Sequence, residues 1–110
     1  MYYKLDEEKN VIPSSLEEWS NFIEGKFPSN YRHVGDDTIN GKRISTVFIG
    51  LCCNFNMHSG KPIVFETMVF DKNDHAIFQR RYETWKEAEL GHQSAIKWIK
   101  KGCDREIELD

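Results

Sequence analysis

The chain has 110 residues, of which 39% are hydrophobic and 13% aromatic, and its net charge is −3. This length fits one domain with one ordinary core, and the aromatic content argues against intrinsic disorder. The mild negative charge argues against binding to a nucleic acid polymer, which normally requires a basic surface. No apolar run approaches the roughly 18 residues of a membrane-spanning helix, so no membrane association is predicted.

The cysteines Cys52, Cys53 and Cys103 do not have the spacing of a disulfide framework. An odd number of irregularly spaced cysteines is typical of a protein of the reducing cytosol. The N-terminal residues are charged from Lys4 onward, which does not fit a secretory signal peptide. We therefore expect a cytoplasmic protein.

The first predicted element is a short edge strand at Tyr2–Leu5, followed by a charged turn at 6–10. Pro13 is expected to end any strand that follows this turn. Ser15 and Glu18 have the spacing of a capping box, in which the serine hydroxyl accepts from a first-turn amide and the glutamate reaches back. Apolar residues then recur with helical spacing, which predicts a helix over 15–25.

The middle of the chain predicts an antiparallel meander. Asn40 and Gly41 form its strongest hairpin signal, because a type I′ turn requires positive φ at both central residues. A polar, glycine-containing loop and a four-residue turn separate the later strands. The predicted strands are 33–39, 42–51, 63–70 and 75–82, with the loop at 54–61 and the turn at 71–74.

The last predicted element is a helix that begins with a second capping box, formed by Thr84 and Glu87, and ends before Gly102. The acidic tail at 103–110 is expected to be mobile or to add a short strand. The predicted fold is therefore a single α+β domain spanning 1–110. It has a four- to five-stranded antiparallel meander sheet and two helices, in the order β-α-β-β-β-β-α.

Large apolar residues fall on both faces of the predicted sheet. Val47–Ile49 is a continuous apolar run, and Val64, Met68 and Phe70 add more apolar volume than one face can bury. An antiparallel sheet with two apolar faces favours self-association. We therefore predict a homo-oligomer, either a dimer or a tetramer.

Glu66 and His92 are the residues with the strongest claim to acid–base chemistry. Glu66 lies in the middle of an apolar strand. A carboxylate there contacts a ligand, faces outward, or pairs with an arginine of a neighbouring strand, which can be Arg43, Arg80 or Arg81. His92 lies on the apolar stripe of the second helix, where it is either an acid–base group or a core histidine bonded to a sheet carbonyl or to Glu66. We favour structural roles for Glu66, His92 and Arg81.

Other enzyme signals are missing from the sequence. The histidines are dispersed and no Cys-x-x-Cys pair occurs, so neither a metal site nor a cofactor is predicted. No P-loop, Rossmann glycine pattern or serine nucleophile motif is present. We therefore expect a protein that is not an enzyme, and a small hydrolase using Glu66 and His92 remains a third alternative.

Arginine and tyrosine residues gather at two places in the predicted fold. Arg80 and Tyr82 lie in the last strand, and Tyr31 and Arg32 precede the meander. Guanidinium groups bind phosphate bidentately and aromatic rings stack on bases, so these are the groups that a nucleotide requires. The same residues also fit an ordinary solvated strand. Because adjacent strand residues point to opposite faces, we expect Arg80 rather than Arg81 to contact a ligand, and Arg81 to pair near Glu66 under the second helix.

Three segments carry a resemblance that covers most of the chain: STVFIGL at 45–51, PIVFETMVF at 62–70 and RRYETWKEAELGH at 80–92. With these segments the chain resembles a large group of small phage and prophage proteins. The loop at 54–61 departs from the glycine-rich sequence of that group. The resemblance implies a sponge of the anti-CBASS kind, which sequesters the cyclic nucleotide signals of antiphage defence in the cytoplasm of the infected bacterium.

The function implied by the resemblance is stoichiometric sequestration of a cyclic dinucleotide without catalysis. The ligand contacts expected in this hypothesis are Arg80, Arg32, Tyr82, Tyr31, Thr67 and Asn54. The alternative from a different class is a small phage protein that binds and inhibits a host protein. In that case the acidic face of the first helix and the acidic tail would form the contact surface.

Overall fold

The computed structural model describes residues 2–24, 32–51 and 62–102. These residues form two helices, one four-stranded sheet and one two-stranded sheet, which confirms the α+β class and the meander. The four-stranded sheet has the antiparallel order β3-β4-β5-β6, and β1 pairs with β2. The elements are β1 Tyr2–Leu5, β2 Val11–Ser14, α1 Leu16–Ile23, β3 His33–Ile39, β4 Lys42–Phe48, β5 Phe65–Phe70, β6 Ala76–Tyr82 and α2 Trp85–Lys100.

The N-terminal hairpin differs from the prediction. β1 does not join the meander as an edge strand but pairs with β2, and Pro13 lies inside β2 opposite Tyr3. A proline is tolerated there because β2 pairs on one side only, so the missing N–H is not needed for a ladder bond. The hairpin is attached to the chain after β4 by the Tyr3 amide, which donates to the Gly50 carbonyl at 2.8 Å.

The local signals for turns and helix starts are confirmed. Asn40 and Gly41 have φ values of 54° and 78°, as a type I′ turn requires, and they join β3 to β4. Ser15 and Thr84 cap α1 and α2, and both capping boxes form. α2 is followed by Gly102 with a φ of 87°. The hairpin turn and the helix starts could therefore be predicted from short segments of the sequence.

Helix α2 packs across one face of the four-stranded sheet and buries two apolar clusters. The first cluster lies beneath the start of α2 and also receives α1 and the β1–β2 hairpin; it contains Tyr3, Leu5, Phe22, Phe48, Val64, Phe65, Tyr82 and Ala88. The second cluster lies beneath the end of α2 and contains Ile44, Val69, Phe78, Ala95 and Ile99. Between the clusters, one row of residues in register crosses the sheet: Gly35, Thr46, Thr67 and Arg80.

The other face of the sheet carries the partly exposed residues Val47, Met68 and Phe70. These alternate with the residues that face α2, and no described element packs over them. The expectation of two apolar faces also counted Phe48 and Val64, but both are fully buried in the core. The prediction of a homo-oligomer therefore rests on fewer residues than the sequence suggested, and it remains a prediction.

Among the described residues, no helix is long and apolar enough to cross a membrane. The loop at 54–61, the tail at 103–110 and the three cysteines lie outside the described residues. The predicted extents of the elements are otherwise close, although α1 ends at Ile23 and β4 at Phe48, earlier than expected.

Candidate functional site

A polar layer lies between the two apolar clusters and is centred on His92 of α2. His92 Nδ1 lies 2.6 Å from Thr46 Oγ1, and His92 Nε2 lies 2.7 Å from Asp37 Oδ2. Thr46 Oγ1 lies 2.6 Å from Thr67 Oγ1. These side chains form one chain of hydrogen bonds, which we call the His92 chain. It runs from the surface at Asp37 into the interior at Thr67.

The carboxylate at the surface end sets the direction of the hydrogen bonds. Because a carboxylate accepts, His92 Nε2 carries the proton that is donated to Asp37. In the neutral imidazole, Nδ1 then accepts from the Thr46 hydroxyl, and the Thr46 oxygen accepts from the Thr67 hydroxyl. Each of these hydrogen bonds then has one donor and one acceptor.

The His92 chain contains the residue types of a hydrolytic triad but is closed to a substrate. Thr46 and Thr67 are both 0% exposed, and the His92 side chain is 4% exposed. A nucleophile must reach the reacting atom, and neither hydroxyl can do so in this arrangement. Glu66, the other half of the hydrolase alternative, lies on the opposite face of the sheet. The structure does not bring Glu66 and His92 together.

Two glycines allow α2 to approach the sheet. A Cβ at Gly35 would lie 2.7 Å from His92 Nε2, so the imidazole rests directly on the backbone of β3. A Cβ at Gly91 would overlap the Tyr82 ring and its hydroxyl. The glycine in the middle of α2 is therefore explained by the close approach of β6.

The second feature is a groove of about 380 Å³ between β6 and α2. Its walls include Arg80, Tyr82, Leu90 and Gly91. The guanidinium carbon of Arg80 lies 5.8 Å from the centre of the Tyr82 ring, which is a cation–π distance. The volume falls at the lower end of the range for small-molecule pockets, about 300–1,000 Å³.

Charges of both signs line this groove. Arg80 contributes positive charge, and Glu83 and Glu87 contribute negative charge. Arg81 also lines the groove, but its guanidinium pairs with Glu66 on the other face of the sheet. The Glu87 carboxylate is held at the start of α2, because it accepts from the Glu83 amide at 3.0 Å and from the Thr84 amide at 3.2 Å. A mixed lining of this kind suits a small ligand with few anionic groups better than a polyanion.

The predicted ligand contacts do not all share one surface. Arg80 and Tyr82 meet at the groove, although Tyr82 is only 7% exposed. Thr67 lies in register with Arg80 across β5 and β6, but its side chain is fully buried beneath α2. It is therefore part of the His92 chain and has no surface for a ligand to contact.

The remaining predicted contacts lie away from the groove or outside the described residues. Arg32 precedes β3, at the far side of the sheet from β6, and its Nη1 donates to the Phe48 carbonyl oxygen at 3.1 Å. Tyr31 and Asn54 lie outside the described residues. Among the six predicted contacts, the structure brings together Arg80 and Tyr82.

Arg81 pairs with Glu66, and the Nε–Oε2 distance is 3.0 Å. This cross-strand pair lies on the sheet face opposite α2, not under the helix as expected. The reason is strand alternation: Glu66 and Arg81 directly neighbour Thr67 and Arg80, which lie on the α2 face.

Sequence reasoning missed Asp37 and Thr46 as members of the polar layer. The signal was present in the hairpin register: once the Asn40 turn is placed, Asp37 lies opposite Ile44, and Thr46 lies two residues further along the same face. A histidine on the facing helix then requires polar partners at that depth. What the sequence could not supply was the position of α2 along the strands.

No group of three or more histidine, cysteine, aspartate or glutamate side chains that could hold a metal ion occurs within residues 2–24, 32–51 and 62–102. Comparison of the chain with family models, with curated proteins and with solved structures finds no match in any of the three. Function must therefore be inferred from the geometry of the groove and of the polar layer.

Proposed function

We propose that this chain is a phage-encoded binding protein that sequesters a cyclic nucleotide signal of antiphage defence in the cytoplasm of the infected bacterium. The observation that carries the proposal is the position of Arg80, on the wall of the groove and over the Tyr82 ring. A guanidinium so placed can bind a phosphate bidentately. Tyr82 is too buried to stack on a base, so its part is to hold Arg80 in place.

Binding without turnover is supported by the closed state of the His92 chain. Its hydroxyls are buried, and the groove lies on the opposite side of α2 from Asp37, the end of the chain that reaches the surface. The mixed charge of the groove supports a small ligand over a nucleic acid polymer. Sequestration requires affinity and stoichiometry, and both can be supplied by a preorganised groove.

The proposal includes a homo-oligomer, a dimer or a tetramer. Its support is the apolar strip of Val47, Met68 and Phe70 on the sheet face away from α2. Sedimentation velocity at micromolar concentration tests it, with a species of two or four times the 13.0 kDa chain mass as the expected result. A species of 13.0 kDa alone would remove the oligomer from the proposal.

Ligand binding is tested by thermal unfolding in the presence of a panel of cyclic dinucleotides. A ligand at about 100 times its Kd adds about 2.7 kcal/mol to the free energy of unfolding, which raises the Tm by about 10 °C for a chain of this size. Arg80→Ala should abolish the shift. Arg43→Ala is the matched control, because it removes the same charge from the opposite sheet face, where Arg43 pairs with Asp36 at 3.0 Å.

Circular dichroism of both variants confirms that they are folded before binding is compared. The proposal fails if no cyclic nucleotide shifts the wild-type Tm. The assignment of the binding site to this groove fails if Arg80→Ala binds the cyclic nucleotide as tightly as the wild type does. Retention of one host protein by the immobilised chain, after nucleotides have been removed, would favour the alternative function of a phage inhibitor of a host protein.

A further inference from the structure

A second pocket adjoins the groove where the β1–β2 turn meets the start of α2. Its volume is about 280 Å³. Its lining includes Lys9, Val11, Pro62, Thr84 and Trp85. Glu83 lines both this pocket and the groove, so the two cavities are neighbours that share one wall residue. The function proposed above does not yet use this pocket.

Trp85 gives the pocket an aromatic surface. It is the first residue of α2 and is partly buried. Its ring meets Phe65 of the core edge to face, with ring centres 6.1 Å apart and an interplanar angle of 86°. The Lys9 ammonium lies 4.6 Å from the centre of the Trp85 ring. Trp85 is therefore anchored in the core while it also lines the pocket and meets a cation.

Lys9 is held there by the backbone of the turn. Its φ of 68° lies in the left-handed region, which a lysine rarely adopts. The Lys9 amide donates to the Asp6 carbonyl oxygen at 3.0 Å, and the Asp6 carboxylate accepts from the Asn10 amide at 2.9 Å. Burial lowers the pKa of the Lys9 ammonium. A turn followed by one left-handed residue is a common way to close a hairpin, and it fixes the point at which the Lys9 side chain leaves the turn.

We propose that this pocket is a base-binding subsite, so that a bound nucleotide places its phosphate at Arg80 and its base against Trp85. The inference rests on the proposed function and assigns the base of the nucleotide to a pocket beside the groove. The indole offers a flat stacking surface, which the Lys9 ammonium covers at a cation–π distance, so a base stacks there in place of Lys9. Between the two subsites, the Glu83 carboxylate can accept a hydrogen bond from an amino or hydroxyl group of the ligand.

The first test compares AMP with ribose 5-phosphate, which carry the same phosphate and differ by the adenine. Isothermal titration of the full chain should show AMP binding about tenfold more tightly, because a base stacked on an aromatic side chain contributes about that factor or more. Trp85→Leu should lower the affinity for AMP to that for ribose 5-phosphate, and the affinity for ribose 5-phosphate should not change. Arg80→Ala should weaken both ligands by the same factor.

The second test uses tryptophan fluorescence and does not depend on whether Trp85→Leu folds. The chain has three tryptophans, and the double variant Trp19→Phe/Trp98→Phe leaves Trp85 as the only one. AMP should quench its emission, and ribose 5-phosphate should leave the emission unchanged.

The outcomes separate this inference from the proposed function. If both ligands bind equally, depend on Arg80 and leave Trp85 emission unchanged, the base subsite is wrong and the groove stands. If AMP, ribose 5-phosphate and the cyclic dinucleotides all fail to bind, or bind independently of Arg80, the proposed function fails together with the subsite.

Discussion

Replacing Thr46 by valine removes the middle of the His92 chain while keeping the shape of the side chain. The Thr67 hydroxyl then loses its acceptor, and His92 Nδ1 loses its donor. Both groups lie in the interior, where an unsatisfied polar group costs about 1–3 kcal/mol. We therefore expect Thr46→Val to lower the free energy of unfolding by about 2–6 kcal/mol, which is a large part of the stability of a small domain.

Replacing Thr67 by valine should cost much less, because Thr67 is the donor at the end of the chain. Thr46 keeps its bond to His92 and loses only one accepted hydrogen bond, at about 0.5–1.5 kcal/mol. The double variant should be no less stable than Thr46→Val alone, since the second change removes the hydroxyl that the first one leaves unpaired. The two effects should therefore be non-additive by about 1.5–4.5 kcal/mol, which is the cost of Thr67→Val plus the cost of the unpaired Thr67 hydroxyl.

Urea unfolding followed by circular dichroism measures all three variants, with the free energies taken by linear extrapolation. Thr38→Val is the control, because it makes the same change at an exposed position of β3. Equal losses for Thr46→Val and Thr67→Val, with a double variant equal to their sum, would show that the assigned direction of the hydrogen bonds is wrong.

Two further predictions concern a glycine and a carboxylate. Gly91→Ala should lower the free energy of unfolding by about 1–3 kcal/mol, because the added methyl group overpacks against Tyr82. At an open helix site the same change would raise the free energy of unfolding by about 1 kcal/mol. Thermal unfolding, with Ser94→Ala as the control, measures whether the stability falls or rises. Hydrogen bonds from Asn10 and from the Glu8 amide hold the pKa of the Asp6 carboxyl below its usual 3.8. Asp6 therefore stabilises the fold at pH values above 3.8, and this contribution is lost as the pH falls through the folded pKa. Asp6→Asn keeps a side-chain oxygen that accepts from the backbone amides but does not titrate. The stability of this variant, measured by circular dichroism, should therefore depend less on pH in the acid range.

Short-range signals predicted the parts of the fold that depend on neighbouring residues. The type I′ turn at Asn40 and the capping boxes at Ser15 and Thr84 are set by a few adjacent side chains, and all three form. β2 was missed because Pro13 was taken to end a strand. That rule holds for central strands. At an unpaired strand edge no ladder hydrogen bond requires the N–H that proline lacks.

The candidate site depended on long-range packing, which the sequence described only in part. Alternation predicted that Arg80 and Arg81 point to opposite faces, but it could not decide which face α2 covers. The buried residues Phe65, Thr67 and Val69 settle that question and place Arg80 on the helix side. For the same reason Thr67, expected to contact a ligand, lies beneath α2.

The groove and the His92 chain are connected through two consecutive residues of α2. Gly91 lets the helix approach Tyr82 of β6, and His92 is bonded to Thr46 of β4 and to Asp37 of β3. Since the helix is fixed to strands on both sides, it cannot roll over the sheet without breaking a buried hydrogen bond or opening the Tyr82 contact. The wall of the groove is therefore set before a ligand arrives, and a preorganised wall reduces the entropy lost on binding. A change at Thr46 should consequently reach the groove through the position of α2, even though Thr46 lines no part of it.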